Sequence, residues 1–176
     1  MDWRLFTYRL PSEPSRHRVA VWRELRRIGA VSLQQATWAV PDRPQFLEGL
    51  ERAAALVEAG DGEALVFAAN AADERTAVRL EELFTAERED EWREFLSECV
   101  KFEQEIHKEI QKRKFTHAEL DEEEQSLERL RRWYRDIRSR DVFNAATAAD
   151  GERALKECGE RLEEYAERVY QEGESR

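Results

Sequence analysis

WRLFTYRLPSEPSRHRVAVWRELRRIGAVSLQQATWAVPD, residues 3–42, carries a strand, a helix and a hairpin in one short run. "WRLFTYRL" (3–10) is aromatic and β-favouring and ends before Pro11, which predicts a strand. "SEPS" opens a helix: Ser12 or Ser15 can accept from free backbone N–H groups, and Pro14 suits a first turn. Val21, Trp22, Leu25 and Ile28 recur at helical spacing as the inner face, and Gly29 supplies the left-handed stop. Val31 and Leu33, then Trp38 and Val40, flank a polar "QQA", the pattern of a tight hairpin. Outward from there, Asp42 is placed to cap a second helix lined by Phe46, Leu50, Ala54 and Val57. "GDG" (60–62) closes it, and "EALVFAA" (63–69) reads as a fourth strand.

The resulting order, β-α-β-β-α-β, is that of a ferredoxin-like sheet with two helices on one face. Strand one is bulky on both sides and strand four apolar on both. The back face is therefore expected to be buried, by the C-terminal part or by a second subunit in a homodimer through the sheet.

From Asp73 onward there is no proline, and apolar residues recur every three or four positions. Leu83 and Phe84 anchor a short first segment. Trp92, Phe95, Cys99, Phe102, Ile106 and Ile110 form a near-heptad seam, continued after "KRKF" by Leu120, Leu127, Leu130, Tyr134 and Ile137. Thr116 and Glu119 have capping-box spacing. Asp150 is placed to cap a last helix bearing Leu155, Cys158, Leu162, Tyr165 and Val169, after which "QEGESR" should fray. The expected architecture is α+β: a ferredoxin-like part, residues 1–72, and an antiparallel helical bundle, residues 73–176.

The charge follows that division. Residues 1–72 carry nine Lys/Arg and nine Asp/Glu, so the whole formal charge of −10 falls on residues 73–176. The N-terminus lacks the apolar run of a signal peptide, and no stretch approaches the roughly 18 apolar residues of a membrane span. Cys99 and Cys158 stand alone, which predicts two buried thiols and a cytoplasmic location.

Against that acidic background, "RLRRWYRDIRSRD" (129–141) holds six arginines. Glu128–Arg132 and Asp136–Arg140 are spaced for i,i+4 pairs, whereas Arg135 has only Arg131, Arg132, Arg138 and Ser139 as helical neighbours. Either the acidic helix bearing Glu94, Glu98, Glu103, Glu105 and Glu109 neutralises these arginines, or Arg131, Arg132, Arg135 and Arg138 form an anion site. A second stripe, Arg16, Arg23 and Arg27, runs opposite the apolar face of helix one, with no aromatic residue expected in it. A solvated face and a phosphate contact are both open there. His17, His107 and His117 are scattered; Glu103 and His107 lack a second ligand pair, so no metal is assigned. No catalytic motif or cofactor fingerprint appears, so neither an enzyme nor a bound cofactor is expected.

Several phrases together resemble the N-terminal domain of ChrB-type chromate-resistance proteins: "LP" after strand one, R-x-x-VWR-x-L-x-x-x-GA in the helix, W-x-x-P in strand three, and "RLRRWYRDIRSRDVF" downstream. The first half also looks like the ferredoxin-like domain of PaaX-type repressors and, more distantly, of small CRISPR-associated nucleases. The resemblance implies a regulator of a chromate-resistance operon, with operator DNA or a chromate-type oxyanion as partner. A dimerisation or scaffold module without ligand is the other expectation. Family members commonly continue into a second domain, so sensing carried there is not expected of these 176 residues. The nucleases hold metal with an aspartate at the end of strand one, where this chain has Tyr8 and Arg9.

Overall fold

The computed structural model describes residues 1–174. In chain order these form β1 (Asp2–Arg9), α1 (Ser15–Arg27), β2 (Val31–Gln34), β3 (Thr37–Pro41), α2 (Pro44–Glu58), β4 (Glu63–Asn70), α3 (Glu74–Gln111), α4 (His117–Arg140) and α5 (Ala148–Glu174). The architecture is α+β and mostly helical, with two compact units: Met1–Glu87, and Arg88 onward. The expected division at residue 72/73 lies between β4 and α3, whereas the two units divide at Glu87/Arg88, so the first turns of α3 belong to the first unit.

The first unit is a four-stranded antiparallel sheet, order β2-β3-β1-β4, with α1 and α2 packed together. Pairing of Phe6 with Trp38 and of Leu5 with Ala39 fixes which side chains share a face. Trp3 and Ala39 on one face, and Phe6, Trp38 and Val40 on the other, are all buried. The centre of the sheet is thus closed on both faces, as its bulky alternation required. β4 departs from that expectation, because its Leu65, Val66 and Phe67 are exposed. Phe84, from the first turns of α3, completes this core by meeting Trp3 and Phe46 edge-on at 6.0 and 5.9 Å.

Turn chemistry is partly as expected. Gly29 adopts φ 81°, with Ala30 N–H on Leu25 C=O and Gly29 N–H on Arg26 C=O, a Schellman stop for α1. At α1 the N-cap is Pro14 with no side-chain cap, so neither Ser12 nor Ser15 performs that role. Asp42 does not cap α2. Arg43 holds the cap position ahead of Pro44, and the Asp42 carboxylate instead meets Arg4 at 3.0 Å. After α2 the left-handed residue is Asp61, φ 58°. Gly49 serves close approach: an added Cβ would lie 2.2 Å from Ile28 Cγ2.

The second unit is an up-down-up bundle. Trp92 packs against Gly151, Cys158 Sγ donates to the Cys99 carbonyl at 3.6 Å, and Arg113 meets Glu172 at 3.1 Å. The latter two pairs are each separated by 59 residues, so α3 and α5 run parallel in register. α4 returns antiparallel between them, its C-terminal Asp141 beside Trp92. The predicted seam is the core: Trp92, Phe95, Cys99, Phe102, Ile106, Leu127, Leu130, Ile137, Cys158, Leu162, Tyr165 and Val169. Thr116 caps α4 by accepting from Glu119 N–H at 3.3 Å, while the Glu119 carboxylate takes Lys114 instead of reciprocating.

Two expectations about helix bounds are corrected. The short segment at Leu83–Phe84 is no separate helix, because the charged run after it contains no breaker and is tied by i,i+3 pairs such as Arg88–Glu91 at 2.9 Å. α5 begins before Asp150, which pairs with Arg153 at 3.1 Å from within the first turn. It remains helical through Glu174; Ser175 and Arg176 of the expected frayed tail lie outside the described residues.

Candidate nucleic-acid interface

α1 buries Val21 and Leu25, and 3.6-residue periodicity then points Arg16, Arg18, Val19, Trp22, Arg23 and Arg26 outward. Trp22 is 50% exposed and Val19 41%, so the placement of Trp22 in the core is corrected. At 100° per residue Trp22 lies about 90° from the middle of the buried stripe and groups with Arg18 and Arg26 at i−4 and i+4. The Arg16–Arg23–Arg27 stripe itself, about 100–140° further round the helix, contains no aromatic residue, as expected; Trp22 and Val19 stand exposed beside it, between it and Arg18.

Pairing sorts the α1 arginines. Arg26 reaches Glu87 at 2.8 Å. Arg27 Nε donates to Glu24 at 2.8 Å, and Arg52 Nε reaches the same carboxylate at 2.9 Å. The hydrogen bond from Arg27, only partly opposed by burial and reinforced by Arg52, holds Glu24 below the usual glutamate range. Arg27 thus leaves the expected stripe. Arg16, Arg18 and Arg23 are exposed, and among the described residues they form no ion pair. Arg18 places its charge near Tyr8, whose phenol burial pushes upward while Trp38 and Arg18 pull it down.

α4 is arranged differently. Glu128 reaches Arg135 at 3.3 Å and Arg131 at 3.8 Å, so Arg135 does have a partner on its own helix, two turns back. Sequence spacing missed it because i−7 contacts need two long side chains lying along the helix. The expected Glu128–Arg132 and Asp136–Arg140 pairs do not form. Arg140 crosses to Glu91 at 3.3 Å, and exposed Arg132 has no ion pair among the described residues. Arg138 donates to Asn144 at 3.2 Å. Glu91 is thus an α3 partner to this run; of the glutamates expected to neutralise Arg131, Arg132, Arg135 and Arg138, however, Glu98, Glu105 and Glu109 are engaged by Lys101, Lys108 and Lys114. The groove beside Arg131 is itself lined by Glu124, Glu128 and Glu163, an unfavourable field for an anion.

The family described as "Protein ChrB, N-terminal" matches residues 18–176. The chain belongs to the ChrB family. It is accordingly a chromate-resistance-related protein. Searches of curated proteins and of solved structures returned no match.

The remaining motifs resolve locally. His107 Nε2 meets Gln111 at 2.8 Å, and among the described residues no three His, Cys, Asp or Glu side chains are grouped to hold a metal. Cys99 and Cys158 are buried free thiols; the neighbouring Cys99, and then burial, push the Cys158 thiol far up. No described helix is long and apolar enough to cross a membrane.

Proposed function

We propose that this ChrB-family chain is a non-enzymatic, cytoplasmic regulator that contacts DNA through the outward face of α1. The observation that carries the reading is the coexistence there of three arginines without carboxylate partners and a half-exposed tryptophan. Arg16, Arg18 and Arg23 take phosphates; Trp22 and Val19 supply the apolar contact with sugar and base edges. A helix about 10–12 Å across suits a major groove about 12 Å wide. We also read the first unit as ferredoxin-like, a reading supported by its βαββαβ order and the strand order β2-β3-β1-β4. That frame presents α1 on the helical layer.

The net charge of −10 repels DNA at long range, so binding depends on orienting α1 and is strongly salt-sensitive. With three phosphates neutralised, raising salt from about 50 to about 200 mM weakens binding about 40-fold. The test is a mobility-shift titration with DNA from upstream of the protein's own gene, at both salts. A specific complex at low salt is expected; none at low salt contradicts the reading. The alternative, a chromate or sulfate site on α4, would require Arg131 and Arg135 to exchange Glu128 for an anion beside Glu124 and Glu163. Calorimetry with either anion, on the natural chain and on Arg135→Ala, tests that alternative.

A further inference from the structure

The two edges of the sheet are built differently. β2 has four residues and an irregular register between Ser32 and Gln34, both devices that blunt an edge. β4 has eight residues, EALVFAAN, pairs only with β1, and lies at the end of the sheet. It contains no lysine, proline or bulge. Its one charge, Glu63, sits at the end of the strand and is paired with Arg9 at 3.1 Å. Leu65, Val66 and Phe67 are 49%, 46% and 49% exposed, so apolar side chains meet water on both faces beside an unpaired backbone edge. Such an edge is a template for strand addition.

We propose that β4 pairs antiparallel with β4 of a second copy, in a register centred on Val66, giving one continuous sheet across two chains. The strand's own pattern selects this occupant. A two-fold axis normal to the sheet sets same-face residues opposite each other. Centring it on Val66 puts Leu65 against Phe67 of the second copy on one face. On the other face Val66 meets its counterpart, and Ala64 meets Ala68. Glu63 falls opposite Ala69, so the two carboxylates are kept apart. Large residues meet large ones, small meet small, and no like charges are opposed. This interface is independent of the DNA reading. It also moves the expected dimer from the back face of the sheet to its edge. Because each copy carries −10, association strengthens with salt, opposite in sign to DNA binding.

Light scattering over a concentration series up to about 100 µM reads the assembly directly. The expected mass is twice the 20.8 kDa of the chain. Leu65→Lys and Phe67→Glu should each be monomeric with unchanged helical signal and melting behaviour, since both side chains are half in solvent. Mixed one to one, they should restore a dimer, because the introduced lysine of one chain then faces the introduced glutamate of the other. Val66→Cys should cross-link to dimer on mild oxidation. A wild-type monomer throughout, a dimer that survives both single variants, or a mixture that stays monomeric overturns the proposal.

Discussion

α1 and α4 are both arginine-rich helices, and they use that charge in opposite ways. On α4, one glutamate two turns before Arg135 serves Arg131 and Arg135. Among the described residues Arg129 and Arg138 bond only to the neutral Ser126 and Asn144, and Arg132 has no ion pair, but the groove beside Arg131 is lined by further acids. On α1, Glu24 and Glu87 satisfy Arg27 and Arg26, while Arg18 on one side and Arg16 and Arg23 on the other remain turned to solvent, with Trp22 and Val19 between them. Both helices keep arginines without a carboxylate partner among the described residues; those of α4 belong to a run beside Glu124, Glu128 and Glu163, whereas those of α1 flank an exposed apolar centre. A basic run is a candidate site only after the carboxylates within reach have been subtracted, and that reach extends beyond i±4.

The largest effect that can probe this contrast lies in the bundle. Asp141, 4% exposed, accepts from Trp92 Nε1 at 3.0 Å and from Ala145 N–H at 2.9 Å. Asp141→Ala strands two buried donors and should cost about 3 kcal/mol in denaturant unfolding. DNA affinity of the folded fraction should stay unchanged; a parallel loss would mean that the bundle, too, takes part in binding. Next is Trp22→Ala, expected to weaken DNA binding about tenfold while shifting stability by less than about 0.5 kcal/mol. A core tryptophan would show the reverse, a loss of about 3–5 kcal/mol.

Smaller effects test the charge accounting. Glu123 is 7% exposed, and burial, then Glu105, Glu109, Glu119 and Glu122, raise its pKa. A carboxylate raised on folding penalises the native state above its unfolded pKa, and the penalty disappears as pH falls below that value. Glu123→Gln should therefore raise the melting temperature at pH 7, with the gain vanishing below pH 4.5; an equal gain at both pH values would contradict the assignment. Smallest of all, Glu128→Gln should turn α4 toward the state of α1. DNA binding at low salt should tighten about two- to fivefold, an effect lost as salt is raised.

Sequence periodicity disclosed the bundle because a seam residue every three or four positions leaves one consistent phase in each helix. Even there it hid Glu123, which occupies a seam position between Leu120 and Leu127 yet reads as one more acid in a charged run. The strands of the first unit were legible from β-branched and aromatic clusters bounded by Pro11, Gly29 and "GDG". Trp22 was not: its bulk suggested burial, and only the phase relative to Val21 and Leu25 separates it from the core. Arg18, one turn before it, carries the same signal. Ion-pair choice was the least legible feature, since Asp42, Glu91 and Glu128 each had several arginines within reach and local spacing does not rank them. The exposure of β4 was hidden for another reason: an apolar strand looks the same at the centre of a sheet as at its edge.

The most direct measurement of the central claim is the salt dependence of DNA binding by two triple variants. With Arg16, Arg18 and Arg23 replaced by alanine, the slope of log affinity against log salt should flatten by about 2.7, and specific binding should be lost near 200 mM. The matching variant of Arg131, Arg132 and Arg135 should keep the slope of the natural chain. If the α4 variant flattens the slope and the α1 variant does not, α4 is the interface and the distinction drawn between the two helices is wrong.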